Sequence, residues 1–441
     1  MQFEELQNLM RENGIVGCGG AGFPSYAKLN KNIDTLIINC AECEPLLRLH
    51  RQLMEKRTEE ILEAVELVRQ TLGVKKAYIA LKKAYVKAIA SLENYISSYP
   101  NIEIKHLKEV YPAGDEVVLI YEVTGRIVPP GKLPASVNVI VYNVETIYNV
   151  YRALNGRAVT RKYVTIAGEV KSPKTFYAPI GMKISELIEL AGGKTIDNPE
   201  YLLGGPMMGR LGNENDVVTK TTNAVILLPK DHYVVFRKKV KPSIDLKRAM
   251  ASCCQCNYCT DLCPRHLLGH PIDPAAFMRN ISNQDSHNVD AYINSLYCSG
   301  CGLCEMFSCM QGLSPRNLLG VVKGELRKNG VKGNENLKAP LVQNNRELKR
   351  VPLSRLRARL DLERYNHSAP MVKEEVMTDV VKIMLSQHVG VPAQAIVKAG
   401  DVVKEHSVIA KYIDEKLCVN IHASIDGTIK EVTDKWIVIK K

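Results

Sequence analysis

Eight of the 13 cysteines in this 441-residue chain fall in two runs whose spacing can hold iron. The first, Cys253-x-x-Cys256-x-x-Cys259-x-x-x-Cys263-Pro264, has the bacterial 4Fe-4S spacing. There, three thiolates two residues apart wrap one cube, and the fourth, led away by the proline, ligates a neighbouring cube. A second run is therefore required. Cys298-x-x-Cys301-x-x-Cys304-x-x-x-x-Cys309 supplies it, with a last gap one residue longer and Met310 in place of proline. The expected sets are Cys253, Cys256, Cys259 and Cys309 on one cluster and Cys298, Cys301, Cys304 and Cys263 on the other. CxxC pairs also build zinc ribbons. A zinc site takes two pairs, however, whereas each run here has three cysteines in consecutive CxxC steps plus a fourth. Cys254 falls outside this register. Cys18 and Cys418 read as small core residues, and Cys40-x-x-Cys43 lacks the thioredoxin context of a redox dithiol.

Gly17-Cys-Gly-Gly-Ala-Gly22-Phe23-Pro24 has the form GxGxxG. It follows a helical pattern, Phe3 to Asn13, and Pro24 interrupts the helix that should face a phosphate, so the strand, loop, helix order of a Rossmann site is missing. Two readings stay open for the motif by itself. It is either a glycine turn or a loop whose backbone amides approach a phosphate, with Lys28 supplying charge. His388, beside Gln387, has no second ligand-type residue at metal-site spacing and reads as structural.

These residues need several supporting units. A chain of 441 residues forms about three or four domains, and 46% hydrophobic with 24% charged residues is an ordinary globular balance. Residues 1 to 155 alternate helical patterns with strand-like runs, Thr35-Leu-Ile-Ile-Asn39 and Val137-Asn-Val-Ile-Val-Tyr142, which implies an α/β layer. An alternating strand, Tyr163 to Val170, and a helical stretch, Ile184 to Ala191, suggest a small α+β module. Pro271 to Met278 and Val289 to Leu296 have helical character between the cysteine runs. Residues 326 to 370 are polar and basic, and 371 to 441 read as short strands divided by turns. No run reaches the ~18 apolar residues of a membrane span, and the start is acidic and amphipathic, so a cytoplasmic chain is expected. An odd cysteine count crowded into one region favours metal ligation over disulfides. The net charge of +12 and pI of about 9.0 come with basic clusters in the 230s to 240s and from Arg346 to Arg359. Few aromatics interleave them, which disfavours nucleic acid and leaves a solvated face or docking of an acidic partner or phosphate-bearing cofactor.

Gly14-Ile-Val-Gly-Cys-Gly-Gly-Ala-Gly-Phe-Pro-Ser25, Ile38-Asn-Cys-Ala-Glu-Cys-Glu-Pro45 and Tyr111-Pro-Ala-Gly-Asp-Glu116 resemble the RnfC-like family. The likeness continues through Gly204-Gly-Pro-Met-Met-Gly209, Thr219-Lys-Thr-Thr-Asn223, Pro352-Leu-Ser-Arg355 and Gln387-His-Val-Gly390. In Rnf subunits the Gln-His-x-Gly region leads the chain. Here it lies at the carboxyl end, as in the Pdu-type cobalamin reductases. The resemblance implies a multidomain α/β and α+β chain: an α/β FMN/NADH-binding domain at 1–155, a β-grasp-like SLBB domain at 160–235 and an α-helical ferredoxin domain with two 4Fe-4S clusters at 240–325. A basic linker at 326–370 and an all-β barrel-sandwich hybrid at 371–441 would complete it.

The first unit in turn resembles the flavin-bearing subunit of bacterial complex I. That likeness implies that Gly17, Gly19, Gly20, Gly22 and Lys28 hold the FMN phosphate and ribityl chain, while Asn39, Glu42, Asn143 and Thr146 line the flavin. Glu44, Asp115 and Glu116 would face the nicotinamide nucleotide and Phe23 would stack on it. Ala41 stands where the complex I pattern has an acid. The implied activity is that of an NADH-dependent oxidoreductase: hydride from NADH to FMN, single electrons through two 4Fe-4S clusters, and cobalamin as the acceptor in propanediol utilisation. Implied partners are cobalamin or a cobalamin-handling adenosyltransferase and other redox proteins, with no nucleic acid and no integral membrane segment, in the cytoplasm or a bacterial microcompartment. The same residues would serve an electron-input subunit of a membrane Rnf-type complex, or a non-catalytic carrier or scaffold, and the sequence leaves those alternatives open.

Overall fold

Strands with apolar residues on both faces belong inside a parallel sheet covered by helices. In the computed structural model, which describes residues 1–285 and 287–441, the first unit is built on that rule. Helix α1 (Phe3–Glu12) leads into the glycine loop. Then come β1 (Thr35–Asn39), α2 (Leu49–Lys56), α3 (Thr58–Thr71), β2 (Lys76–Lys82), α4 (Val86–Tyr95), β3 (Ile102–Leu107), β4 (Val110–Tyr111), α5 (Glu116–Thr124), β5 (Val139–Asn143) and α6 (Val144–Leu154). The sheet order is β3-β2-β1-β5, all parallel. The chain builds outward from β1 to β3 and then returns to the other side of β1, so the switch point lies between β1 and β5. Asp115 caps α5 by accepting from the Val117 and Val118 amides, and Asn143 caps α6 by accepting from Glu145.

The second unit holds β6 (Arg161–Gly168), β7 (Lys174–Pro179), α7 (Ile184–Leu190), β8 (Glu200–Leu203), β9 (Arg210–Gly212) and β10 (Ala224–Leu228). Its sheet order is β7-β6-β10-β8-β9, with α7 laying Ile184, Leu187 and Ile188 on Val164, Ile166 and Val225. A buried ion pair between Lys162 and Glu145 (2.5 Å, side chains 1% and 2% exposed) fastens β6 to α6.

The cysteine-bearing unit is helical: α8 (Tyr233–Lys239), α9 (Pro242–Ser252), α10 (Tyr258–Asp261), α11 (Pro264–Leu267), α12 (Pro274–Asn283), α13 (Val289–Ile293) and α14 (Pro315–Lys328). Helices α9, α11, α12 and α14 start on proline, where the missing N–H has no intrahelical partner to lose. The stretch read as a basic linker is a strap laid on the other units. Its β11 (Val351–Pro352) pairs with β4. Helix α15 (Leu353–Arg359) and the residues after it bury Leu356, Leu360, Leu362 and Tyr365 in a core shared with Leu46, Leu202 and Met306. Its basic side chains are cross-ties: Arg346 and Arg350 pair with Glu122, and Lys349 with Asp261.

The last unit has β12 (Val380–Met384), β13 (Gln394–Ala395), β14 (Val402–Val403), β15 (Val408–Lys411), β16 (Ile421–His422), β17 (Gly427–Val432) and β18 (Trp436–Lys440) in two sheets, β12-β18-β17-β14 and β13-β15-β16. Ile383, Ile421 and Ile439 share a core with Leu6, Met10 and Ile15 of the first unit. No helix among the described residues is long and apolar enough to cross a membrane.

Lys162→Met strands the Glu145 carboxylate in the interior and should cost about 3–5 kcal/mol, whereas adding Glu145→Leu should recover much of that loss. Urea unfolding of the single and double variants measures both.

Candidate functional site

Each of two small cavities is walled by three cysteines of one run and the last cysteine of the other. Cys253, Cys256, Cys259 and Cys309 surround the first, with Ala275, Met278 and Leu313, and the exposed Cys254, outside the register, also borders it. Cys263, Cys298, Cys301 and Cys304 surround the second, with Ile272, Pro274 and Leu319. Among the described residues no three His, Cys, Asp or Glu side chains meet closely enough to hold one metal ion. The sulfurs border a volume instead, which suits a cube of iron and sulfide. Burial pushes the Cys259 thiol up to about 12, and Cys309, Cys256 and Cys253 add to the rise. Thiols this crowded ionise together only around a cationic centre. The Gly300 and Leu313 amides donate to Cys298 Sγ and Cys309 Sγ (3.3 Å each), contacts that stabilise negative charge on cluster sulfur.

The runs repeat one backbone. Gln255 and Asn257 flank Cys256 with φ of 53° and 71°, and Gly300 and Gly302 flank Cys301 with φ of 71° and 79°. The second run meets this left-handed requirement with glycine, while the first spends an asparagine and a strained glutamine on it. Cys263 is the N-cap of α11, so Pro264 begins a helix that turns the chain toward the second cavity. Cys304–Ser308 form a π-helical turn. Its wider closure takes up one more residue than an α turn, and this absorbs the longer Cys304 to Cys309 gap.

A second constellation lies at the carboxyl edge of the parallel sheet. Asn39 and Asn143 are register partners at the ends of β1 and β5, at the switch point where open α/β sheets bind ligands. The glycine loop closes over them. Its neck is the Val16 to Pro24 bridge and the bond from the Gly17 amide to Phe23 O (2.9 Å), and the Cys18 amide donates to the Thr146 hydroxyl (3.1 Å). A Cβ on Gly19 would lie 2.6 Å from Asn143 Nδ2, while Gly19, Gly20 and Ala21 are exposed. At Gly22 (φ 75°) a Cβ would meet Thr221 and the Gln387 carbonyl.

The loop is gripped from behind by residues whose part is not legible in the sequence. Buried Lys220 donates to Gly14 O (2.7 Å) and Asn420 O (3.1 Å), and its amide donates to Gln387 Oε1 (2.9 Å). Burial pushes this amine down to about 7. The signal was present only as the Thr-Lys-Thr-Thr-Asn and Gln-His-Val-Gly segments, whose chemistry depends on their meeting in space. His388 lies 3.0 Å from Val389 O, a structural contact. Burial holds the Cys40 and Cys43 thiols up, Cys43 to about 12, against a reactive dithiol.

Around the crevice, Lys28 pairs with Glu116 (2.8 Å) and donates to Val141 O (3.2 Å). Asn39 donates to Gly114 O (3.0 Å) and accepts from the Ala41 amide (3.0 Å). Asn143 Nδ2 meets His50 Nε2 at 3.3 Å, and burial holds His50 down to about 4, hence neutral. Phe23 is half-buried in the loop. Other residues expected there are engaged nearby. Thr146 supports the loop. Glu42 caps α2 by accepting from the Leu49 and His50 amides (2.8 and 3.2 Å), and Glu44 accepts from the Met207 and Met208 amides (2.8 Å each). Asp115 adds an ion pair with Arg265 (3.0 Å). Lys82 Nζ, at the carboxyl end of β2, is buried with no hydrogen-bond partner among the described residues. An orphaned amine and an open glycine backbone fit a cofactor rich in acceptor oxygens such as FMN.

The crevice and the second cavity share one segment. Tyr111 donates to Cys301 O (2.5 Å), Gly114 O accepts from Asn39 Nδ2, and Asp115 holds Arg265, which walls the second cavity.

Comparison with known proteins agrees with this division. The chain matches the Nuo51 FMN-binding domain over residues 10–152, the SLBB domain over 163–211, the 4Fe-4S dicluster domain over 252–314 and the RnfC barrel sandwich hybrid domain over 363–441. It is 38% identical over 440 residues to the cobalamin reductase PduS of Citrobacter freundii and to that of Salmonella typhimurium, spanning 99% of this chain and 96% of each relative. It is 32% identical over 296 residues to one component of the Na(+)-translocating ferredoxin:NAD(+) oxidoreductase complex of Acetobacterium woodii, covering 65% of this chain and 64% of that one. Among solved structures it is similar to an H2-reduced NAD+-reducing [NiFe]-hydrogenase, with a TM-score of 0.48 and 17% identity over 76% of this chain and 64% of the other.

Burial lifts the Glu42 carboxyl from 4.5 to about 7, against the pull of Arg51 and Lys82. The folded chain therefore keeps a proton that the unfolded chain has lost. The resulting stability is present below the ordinary carboxylate range and is lost as pH rises through about 7. Glu42→Gln does not titrate, so its melting temperature should fall less than that of the parent between about pH 5 and about pH 7.5. Differential scanning fluorimetry compares the two, and equal falls would remove Glu42 as the source.

Proposed function

We propose that this chain, which belongs to the family of the cobalamin reductase PduS, passes electrons from NADH through FMN and two 4Fe-4S clusters to a cobalamin. The observation that carries this reading is the Tyr111 to Asp115 segment, which touches the switch-point crevice at Asn39 and the second cysteine cavity at Cys301 and Arg265. Bound FMN would supply the exchange between a hydride donor and one-electron carriers, and bound clusters would supply one-electron transfer.

The chain's own part is to bind, orient and exclude water. Gly17, Gly19, Gly20 and Gly22 keep side chains clear of the phosphate and ribityl chain, and Lys28 brings a charge that it shares with Glu116. Asn39 and Asn143 orient the polar edge of the ring, with Glu42 and Thr146 fixing the helix end and the loop beside them. Phe23 and Glu116 face the nicotinamide nucleotide from the open side. Glu44 and Asp115 act through others: Glu44 holds the Gly204 to Gly209 turn, and Asp115 holds Arg265 against the second cavity. Cys263, Cys298, Cys301 and Cys304 grip the cluster nearer the crevice. Cys253, Cys256, Cys259 and Cys309 grip the outer one, where Cys256 and Met310 are exposed and electrons leave. The proposal extends to a cobalamin-handling adenosyltransferase as the partner and a bacterial microcompartment as the location.

Protein purified without oxygen should carry about eight irons together with FMN. NADH should bleach the flavin and then the clusters, and added hydroxocobalamin should restore their colour. Zinc in place of iron would contradict the cluster assignment. A flavin that NADH does not bleach would leave a carrier or scaffold, and membrane co-purification with ion-linked ferredoxin turnover would make the chain an Rnf-type input subunit.

A further inference from the structure

Where α2 and α6 end, they meet β6, β7 and the segment leading into the last unit around a cavity of about 670 Å³. That is the size of small-molecule sites. Arg152, in the last turn of α6, is only 8% exposed. Its Nη1 and the Tyr177 hydroxyl are buried with no hydrogen-bond partner among the described residues, and both side chains line the cavity. A buried guanidinium nitrogen without an acceptor is costly, and the cavity is where an acceptor fits.

The charge of the walls says which kind of acceptor. Lys56, Arg57, Arg152, Arg157 and Lys373 line the cavity against two carboxylates, Glu60 and Glu375. Glu60 is held by Arg57 (3.1 Å) and Glu375 by Arg161 (3.7 Å). Arg152, Arg157 and Lys373 have no carboxylate partner among the described residues, so they are available to an anion. One wall is aromatic. The Tyr163 and Tyr177 rings are 4.4 Å apart, with Tyr148 at 6.3 Å from Tyr163, and Arg152 lies 5.1 Å over the Tyr177 face. Phosphate-seeking cations beside a cluster of tilted tyrosine rings suit an anion that carries a flat ring.

We propose that this cavity binds a mononucleotide, its phosphate on Arg152, Arg157 and Lys373 and its base against the tyrosine wall. The site is separate from the flavin crevice. Asn143 caps one end of α6 and Arg152 lies near the other, and 11 residues of helix span roughly 16 Å.

Calorimetric titration of the full, cofactor-loaded chain with AMP, in saturating NAD+ to occupy the crevice, tests the proposal, with inorganic phosphate and adenosine as separate probes. AMP should bind at least tenfold more tightly than either. Arg152→Gln should weaken it at least tenfold while NADH oxidation stays unchanged. Should Arg152→Gln fail to fold, the exposed pair Arg157→Ala with Lys373→Ala should give the same weakening. Absence of AMP binding, or AMP binding unchanged in the variants, would overturn the site. Phosphate binding as tight as AMP would overturn the nucleotide assignment.

Discussion

Two cavities that each take three sulfurs from one run and one from the other cannot be completed separately. This crossing is the constraint on which the helical unit depends. It requires Cys263 to leave its own run, which Pro264 arranges by starting α11, and it requires Cys309 to reach back, which the π turn at Cys304–Ser308 arranges. The local apolar core, built on Phe277, Met278, Leu313, Leu318 and Leu319, is small and has half-buried cysteines against it. Much of the order in this unit therefore comes from what the sulfurs grip, as in metal-dependent domains generally.

The same unit is fixed to the rest of the chain by contacts that also bring its second cavity to the sheet. Asp115 and Arg265, Tyr111 and Cys301, and the strap through β11 all converge on the loop between β4 and α5. Glu44 reaches the Gly204 to Gly209 turn, where Gly205 leaves no room for a Cβ beside the carboxylate. The SLBB unit acts as a bracket between the sheet and the clusters. From the other direction, Lys220 and Gln387 clamp the glycine loop, so the last unit shapes the crevice although its strands carry no redox group.

The legible parts of this architecture are local. Cysteine spacing reports which sulfurs share a wall because the runs are short and their turns are set by neighbouring residues. Thr35–Asn39 reads as a strand because both of its faces are apolar, and the glycine loop is separated from a Rossmann loop by the helix before it. Strand β5 starts at Val139 and not Val137, because Pro134–Val137 form a 3-10 turn that ends on left-handed Asn138. What was hidden depends on partners far along the chain. Leu356, Leu360 and Leu362 are too sparse to look like a core segment until the first two units lie beneath them. Glu44 and Asp115 have the chemistry of ligand contacts, and only the fold reveals that their oxygens are already engaged by backbone amides and Arg265. The extra residue before Cys309 departs from the spacing pattern in the sequence, and the π turn at Cys304–Ser308 accounts for it.

The crossing of sulfurs is tested most directly by comparing spin-resonance spectra of reduced Cys263→Ser, Cys301→Ser and Cys256→Ser proteins. The signal that survives in Cys263→Ser should coincide with the one left in Cys301→Ser and differ from that of Cys256→Ser. A Cys263→Ser spectrum that coincides with Cys256→Ser would place this sulfur on the cluster of its own run and contradict the arrangement.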